Sequence, residues 1–433
     1  MHRKPYRWHW LAAAPLAACL AVYPAAAAIG GTPAPAKTPP AKTAGTGPVN
    51  CTPPGTKNPP CYTPQAYQVA YGVAPLLSRG INGSGEIVAM PELAQTPTSH
   101  GGPTDIRQDL AAFDSKFGLP AAKLNIVNTI ARSATPYLAN TEEITDTEMV
   151  HAIAPAATLD VVLVPANATS GRADLVAALT RAVLAGVAAH AAVFSISASE
   201  GEHFLTRAEV AAVNSAFEQA RDHNMTVVAS SGDTGAIADD GPPVQVSLPA
   251  SDPLVLAVGG TILDAAMPGG TYQGEMAWNE GTDGSAGGFS SLFARPSYQD
   301  GVARIGATRG VPDVAANADA GTAMALVYND GSSRPATGTS ASTPLWAGVI
   351  ALADQEAGRH LGFVNPALYA IARGPGYHRA FHDVVTGDNS VLWPTGVYDG
   401  YAAGPGWDPV TGWGSPDAQY LVPLLAHQAH PST

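Results

Sequence analysis

Short runs rich in Val, Ile and Leu alternate with longer helical patterns along much of this chain, and that alternation limits its fold more than any other feature. Residues 86–90, 159–164, 192–197, 226–230 and 254–258 read as strands, and residues 142–154, 173–189 and 207–223 as helices between them. Apolar runs without polar alternation are buried on both faces, and strands separated by helices pair in parallel. The pattern therefore predicts an α/β domain with a mostly parallel central sheet and helices on both faces. A last apolar helix is expected over 344–359, opening at Pro344. Residues 262–335 are Gly-rich and read as irregular, and 383–417 are dense in Gly, Pro and Trp. Nothing in the pattern repeats or marks a second domain, so one domain is expected over 62–425, with 426–433 as a tail.

Charge narrows the choice of partners. The 433 residues carry a net charge of −13, and only 13% are Asp, Glu, Lys or Arg. A nucleic-acid partner calls for a basic face, so none is expected. The N-terminus has the form of an export signal over 1–28: His2, Arg3, Lys4 and Arg7 precede an apolar run from Leu11 to Val22, and Ala25 to Ala28 offers small-residue cleavage choices. The run is too short for stable membrane insertion, and the protein is expected to be secreted or periplasmic. Leu16 to Cys19 also fits a lipoprotein signal, which stays open as an alternative. Residues 29–61 are rich in Pro, Ala and Thr and read as a linker. Cys51 and Cys61 bracket a Pro-rich stretch; an exported chain with one such pair suggests a local disulfide, the alternative being two free thiols.

Three segments carry candidate chemistry. Glu142 and Asp146 are four residues apart, so on a helix they share a face. Asn140 and Glu143 also have the spacing of a capping box, and acids in a first turn are favoured by the helix dipole. Asp233 sits between Gly232 and Thr234, just past the predicted strand 226–230, where open α/β sheets place their sites. The same position suits an Asx turn. Ser340 stands among small residues at a helix entry, where a developing anion is stabilised, or where a Ser merely caps. Together they offer a nucleophile, a carboxylate base, its orienter and an oxyanion partner, with no histidine.

Gly338-Thr339-Ser340-Ala341-Ser342-Thr343-Pro344 resembles the serine motif of subtilisin-like proteins, and Glu142-x-x-x-Asp146 followed by Ala154-Pro155 resembles the acidic signature of the sedolisins, the serine-carboxyl peptidases. Ser231-Gly232-Asp233-Thr234-Gly235 is similar to their oxyanion motif; Gly287 to Ser290, Arg295 to Gln299 and Pro312-Asp313-Val314 also fit. The resemblance runs over roughly residues 62–425 and implies a subtilisin-like fold. It implies Ser340 as nucleophile, Glu142 as general base and acid, Asp146 as its orienter, and protonated Asp233 as oxyanion donor. Glu92 would extend the proton network. It further implies one structural Ca²⁺ held by the carboxylates of Asp383 and Asp408 and the carbonyls of Val384, Gly404 and Gly406, a mixed oxygen set that suits this cation. The expected protein is a monomer that cleaves polypeptides in acid, in roughly the pH 3–5 range of ordinary carboxylates.

Two departures qualify this. Only some thirty low-complexity residues separate the signal from Tyr62, so no large propeptide is expected here. At Ser197-Ala198-Ser199-Glu200 the aromatic or Gly of many relatives is replaced by Ala198 and Ser199, so the relay through Glu92 is expected to lack its aromatic partner. A histidine-dependent subtilisin would need a His at a helix start; His151 and His100 fit weakly. A non-catalytic binding protein on the same fold is the other alternative.

Overall fold

The computed structural model describes residues 48–51, 60–93, 104–129, 140–165, 172–238 and 241–428. The expected export segment 1–28, most of the linker, His100 and the end of the tail lie outside the described residues.

The sheet forms as the apolar runs require. Strands β1 (Ile87–Leu93), β2 (Lys123–Asn128), β3 (Thr158–Val164), β4 (Val193–Ile196), β5 (Thr226–Ser230), β6 (Leu256–Ala266), β7 (Thr271–Ala277) and β8 (Val314–Asn317) join one eight-stranded sheet. Its order is β7-β6-β5-β4-β1-β3-β2, with β8 also paired to β6. Every pairing is parallel except β6 with β7. The inner strands β4 and β5 are buried at each position, as continuous apolar runs predict.

Helix α1 (Ile106–Phe117) precedes β2, α2 (Thr141–Ile153) precedes β3, and α3 (Arg172–Ala188) and α4 (Arg207–Asp222) follow β3 and β4. Helix α5 (Thr339–Ala357) is buried from Thr339 to Asp354 apart from Ser340 and lies against α2, β4 and β5. Where the two helices cross, a Cβ on Gly348 would come 2.7 Å from Ile153 Cβ, so only glycine allows this approach. α6 (Asn365–Ala372) follows α5.

Three expectations change. Helix α5 begins five residues before Pro344, which lies inside it. A proline in the first turns costs the helix one N–H, and the carbonyl left without its donor is that of Ser340. Residues 262–335 are not irregular: β6 continues to Ala266, and β7, β8 and the hairpin β9 (Ala325–Val327) with β10 (Ser333–Pro335) fall in this stretch. β7 alternates exposed and half-buried positions, so it lacks the apolar run that marked the central strands. Ordered chain also starts before Tyr62: Val49 bridges Cys61, and the Cys51–Cys61 disulfide is buried in the core. Among the described residues no helix is long and apolar enough to cross a membrane.

Candidate active site

The carboxyl ends of the parallel strands collect the candidate residues, as the architecture demands. Glu92 lies near the end of β1, Ser197 follows β4, and Asp233 stands three residues past β5. Helices α2 and α5 bring Glu142, Asp146 and Ser340 to the same end.

At the start of α2 the adjacent acids divide two tasks. Asn140 Oδ1 accepts the Glu142 N–H at 2.7 Å, and Glu143 Oε2 accepts the Asn140 N–H at 2.6 Å. Asn140 is therefore the N-cap and Glu143 its capping-box partner, as their spacing predicted. Glu142 and Asp146 are left to share the opposite task, one turn apart.

The Ser340 hydroxyl lies on the side of the Glu142 carboxyl and eases its ionisation. Asp146 contacts Glu92 and accepts the Ser197 Oγ–H at 2.8 Å. The same Ser197 oxygen lies 3.4 Å from the Ser340 carbonyl that Pro344 leaves without a helical donor. Asp233 Oδ1 accepts Thr339 N–H at 2.8 Å and Thr339 Oγ1–H at 2.7 Å. Its other oxygen lies against Gly338, where a Cβ would come within 2.5 Å. Gly338 also has a φ of +79°, so glycine is required on both counts.

Burial grades across the site. Ser340 and Asp233 are half-buried and reach solvent, whereas Glu92, Glu142 and Asp146 are buried. Burial first, and then the Asp146 charge, hold the Glu142 carboxyl well above its usual range. Glu92 is pushed up in the same way by burial and by Asp146. Burial raises Asp146 to about 7, offset in part by Ser197 and Glu92. Glu92 finds no N–H or O–H donor among the described residues, so its contact with Asp146 requires a proton between the two carboxyls.

His151 does not belong to this arrangement. Its Nε2 lies 2.9 Å from Asp114 and 3.0 Å from the Pro120 carbonyl, toward α1.

The expected calcium ligands come together in part. Asp408 is buried, and its carboxylate accepts the N–H groups of Gly404, Val410 and Thr411. No Lys, Arg or His pairs with it among the described residues, and burial raises it to about 6. Thr411 Oγ1 reaches both Asp408 and the Val384 carbonyl, and Gly406 N–H faces Asp383. A buried, uncompensated carboxylate beside a second one and a carbonyl fits a hard cation. Among the described residues no three His, Cys, Asp or Glu side chains converge on a metal position.

Sequence reasoning missed Ser197 and Thr339 as partners of the two aspartates. Ser197 could have been noticed as a polar residue ending an apolar strand.

Known proteins place this arrangement. The sequence matches the subtilase family over residues 133–365, which fixes the class of fold. It is 34% identical over 394 residues to kumamolisin of Bacillus sp. (strain MN-32), covering 86% of this chain and 66% of kumamolisin. It is 38% identical over 218 residues to sedolisin of Pseudomonas sp. (strain 101), covering 47% of this chain and 35% of sedolisin. The solved structure of Pseudomonas sedolisin, a serine-carboxyl proteinase complexed with two molecules of pseudo-iodotyrostatin, superposes with a TM-score of 0.72 at 27% identity, over 85% of this chain and 98% of that one. The chain belongs to the sedolisin family. It spans just under two thirds of kumamolisin and about one third of sedolisin as curated.

Proposed function

We propose that this chain is an exported serine-carboxyl endopeptidase that hydrolyses peptide bonds in acid. The observation that carries the reading is the meeting of Ser340 with the Glu142 carboxyl, with the Asp233 carboxyl held at the same helix entry. As Ser340 Oγ bonds to the scissile carbonyl carbon, its proton passes to Glu142. The carbonyl oxygen gains the negative charge and faces Asp233, which donates while protonated. Collapse breaks the C–N bond, and Glu142 returns the proton to the leaving amine. Water repeats the sequence on the acyl-enzyme. Asp146, held by Ser197 and Glu92, orients Glu142 and shares the proton of the cluster. Incubation of the purified protein with denatured globin across pH 3–9 tests this: fragments in acid alone support it. Cleavage only near pH 7–9 would revive a histidine mechanism, and none at any pH would favour a binding protein.

The reading includes one structural Ca²⁺. Asp383, Asp408 and the carbonyls of Val384, Gly404 and Gly406 would hold it; bound, it would compensate the buried Asp408 charge and tie the C-terminal loop together. A cation that binds only the folded state stabilises it by about 3 kcal/mol at a hundredfold excess over Kd. Chelation should lower the melting temperature of the wild type and not of Asp408→Ala; an unchanged wild type would refute the calcium site.

A further inference from the structure

The base Glu142 sits on the first turn of α2, where backbone N–H groups lack helical partners and a helix frays most readily. The β9–β10 hairpin lies across this turn. Thr141 Oγ1, adjacent to the base, is 2.7 Å from the Tyr328 hydroxyl at the tip of β9. Tyr328 is itself fixed. It is 5% exposed, the Arg334 guanidinium lies 4.7 Å from its ring centroid, and the turn that follows closes through Tyr328 N–H to Ser332 O at 3.0 Å.

Two buried acids then fasten the hairpin to the helices. Glu148, two residues past Asp146 on α2, accepts the Val327 N–H at 2.9 Å. Asp109 on α1 accepts the Asn329 N–H at 2.7 Å. Both are fully buried, and each has a second oxygen with no partner among the described residues. Backbone amides on either side of Tyr328 are thus tied to α2 and to α1, which leaves the phenol little freedom over Thr141.

Resting on the reading of Glu142 as base, we propose that Tyr328 is a positioning residue that holds Glu142 against Ser340 through its hydrogen bond to Thr141. A structural role alone would spread its effect over stability; a positioning role concentrates it in turnover and in the ionisation of the base.

Tyr328→Phe removes only the hydroxyl, and Thr141→Val removes the other end of the same bond. Each is expected to lower kcat about tenfold, because small misplacements of a reacting group are costly. KM should stay within about twofold, as expected when an interaction acts on the chemical step rather than on binding. The acid limb of the kcat profile should shift in both variants. The double variant should be no worse than either single, and Thr141→Ser should retain wild-type turnover because it keeps the hydroxyl. Losses that multiply in the double variant, or unchanged kcat in Tyr328→Phe, overturn the proposal. If Tyr328→Phe falls in kcat only as far as its folded fraction falls, while Thr141→Val stays active, the role is structural and the proposal is overturned. Glu142→Gln separates the two readings. If it is inactive while Tyr328→Phe is unaffected, positioning alone fails; if it stays active, the base assignment fails and takes the proposal with it.

Discussion

Asp146, in the second turn of α2, and Asp313, next to the start of β8, are both buried aspartates, and their surroundings are opposite. Asp313, just before β8, receives Arg309 through two nitrogens at 2.7 and 2.6 Å, Tyr369 OH at 2.7 Å and Ala257 N–H at 2.8 Å. Asn365 adds a longer contact at 3.3 Å. Its charge is neutralised and its lone pairs are filled. Asp146 has one hydroxyl donor, Ser197, and two further carboxyls beside it. A filled cluster fixes a fold, since removing a partner strands the rest. An under-filled cluster of acids must hold protons instead, and protons that several groups share can move.

The largest test of that contrast replaces one residue from each side. Ser340→Ala should lower kcat by about 10⁴-fold or more while near-UV circular dichroism and melting stay as in the wild type. Asp313→Ala should do the reverse: stability drops by about 3–5 kcal/mol as Arg309 loses its counter-charge, and activity falls only with the folded fraction. If Asp313→Ala melts like the wild type, filled and under-filled clusters do not differ as argued.

pH separates the regions next. Glu275 is half-buried, its carboxyl set among hydroxyls of Tyr71, Thr261, Tyr272 and Ser415, and desolvation raises it to about 7 despite these donors. A carboxyl whose folded pKa lies above its unfolded value favours the fold most in acid, below the ~4.3 of a free Glu, and that contribution is lost as pH rises through 7. The loss from this residue alone is about 3 kcal/mol. Melting temperature should therefore decline between pH 4 and 7, and Glu275→Gln should flatten the decline. An undiminished slope in that variant would assign the effect elsewhere.

How far the sequence revealed this site depends on the range of each contact. Glu142, Asp146, Asp233 and Ser340 were legible because each lies in a short motif whose neighbours set its geometry. The division between Glu142 and Glu143 was legible too, through the Asn140 capping box. Ser197, Thr339 and Tyr328 were not. Their partners lie 51, 106 and 187 positions away, and only the folded sheet unites them. Pro312-Asp313-Val314 was visible as a match without a role, because the role needs Arg309, Tyr369 and the β6 backbone together. The sheet centre was readable from its apolar runs. Residues 262–335 were not, because the partly exposed β7 and the short hairpin β9–β10 derive their order from what they pack against. The expected pH 3–5 window assumed ordinary carboxylates, whereas burial raises those of Glu92, Glu142 and Asp146.

The smallest effect is expected at Glu92, and it bears most directly on the idea of shared protons. Protonated Glu92 donates to Asp146 and helps to hold it below the value burial alone would impose. As pH rises Glu92 ionises, the donor disappears, and two negative charges face each other in a buried site. The alkaline fall in activity should then follow the loss of this donor. Glu92→Gln keeps an N–H donor toward Asp146 at every pH and removes one negative charge. Turnover at the acid optimum should remain within about tenfold of wild type, less than the roughly hundredfold or more lost with a group that itself transfers the reacting proton. The alkaline limb should move upward, since donation no longer titrates. Glu92→Leu has no donor, so it should lose more activity and gain no such shift. A Gln variant whose alkaline limb coincides with that of the wild type would mean that the limb belongs to Asp233 alone, and that the buried carboxyls orient Glu142 without exchanging protons with it.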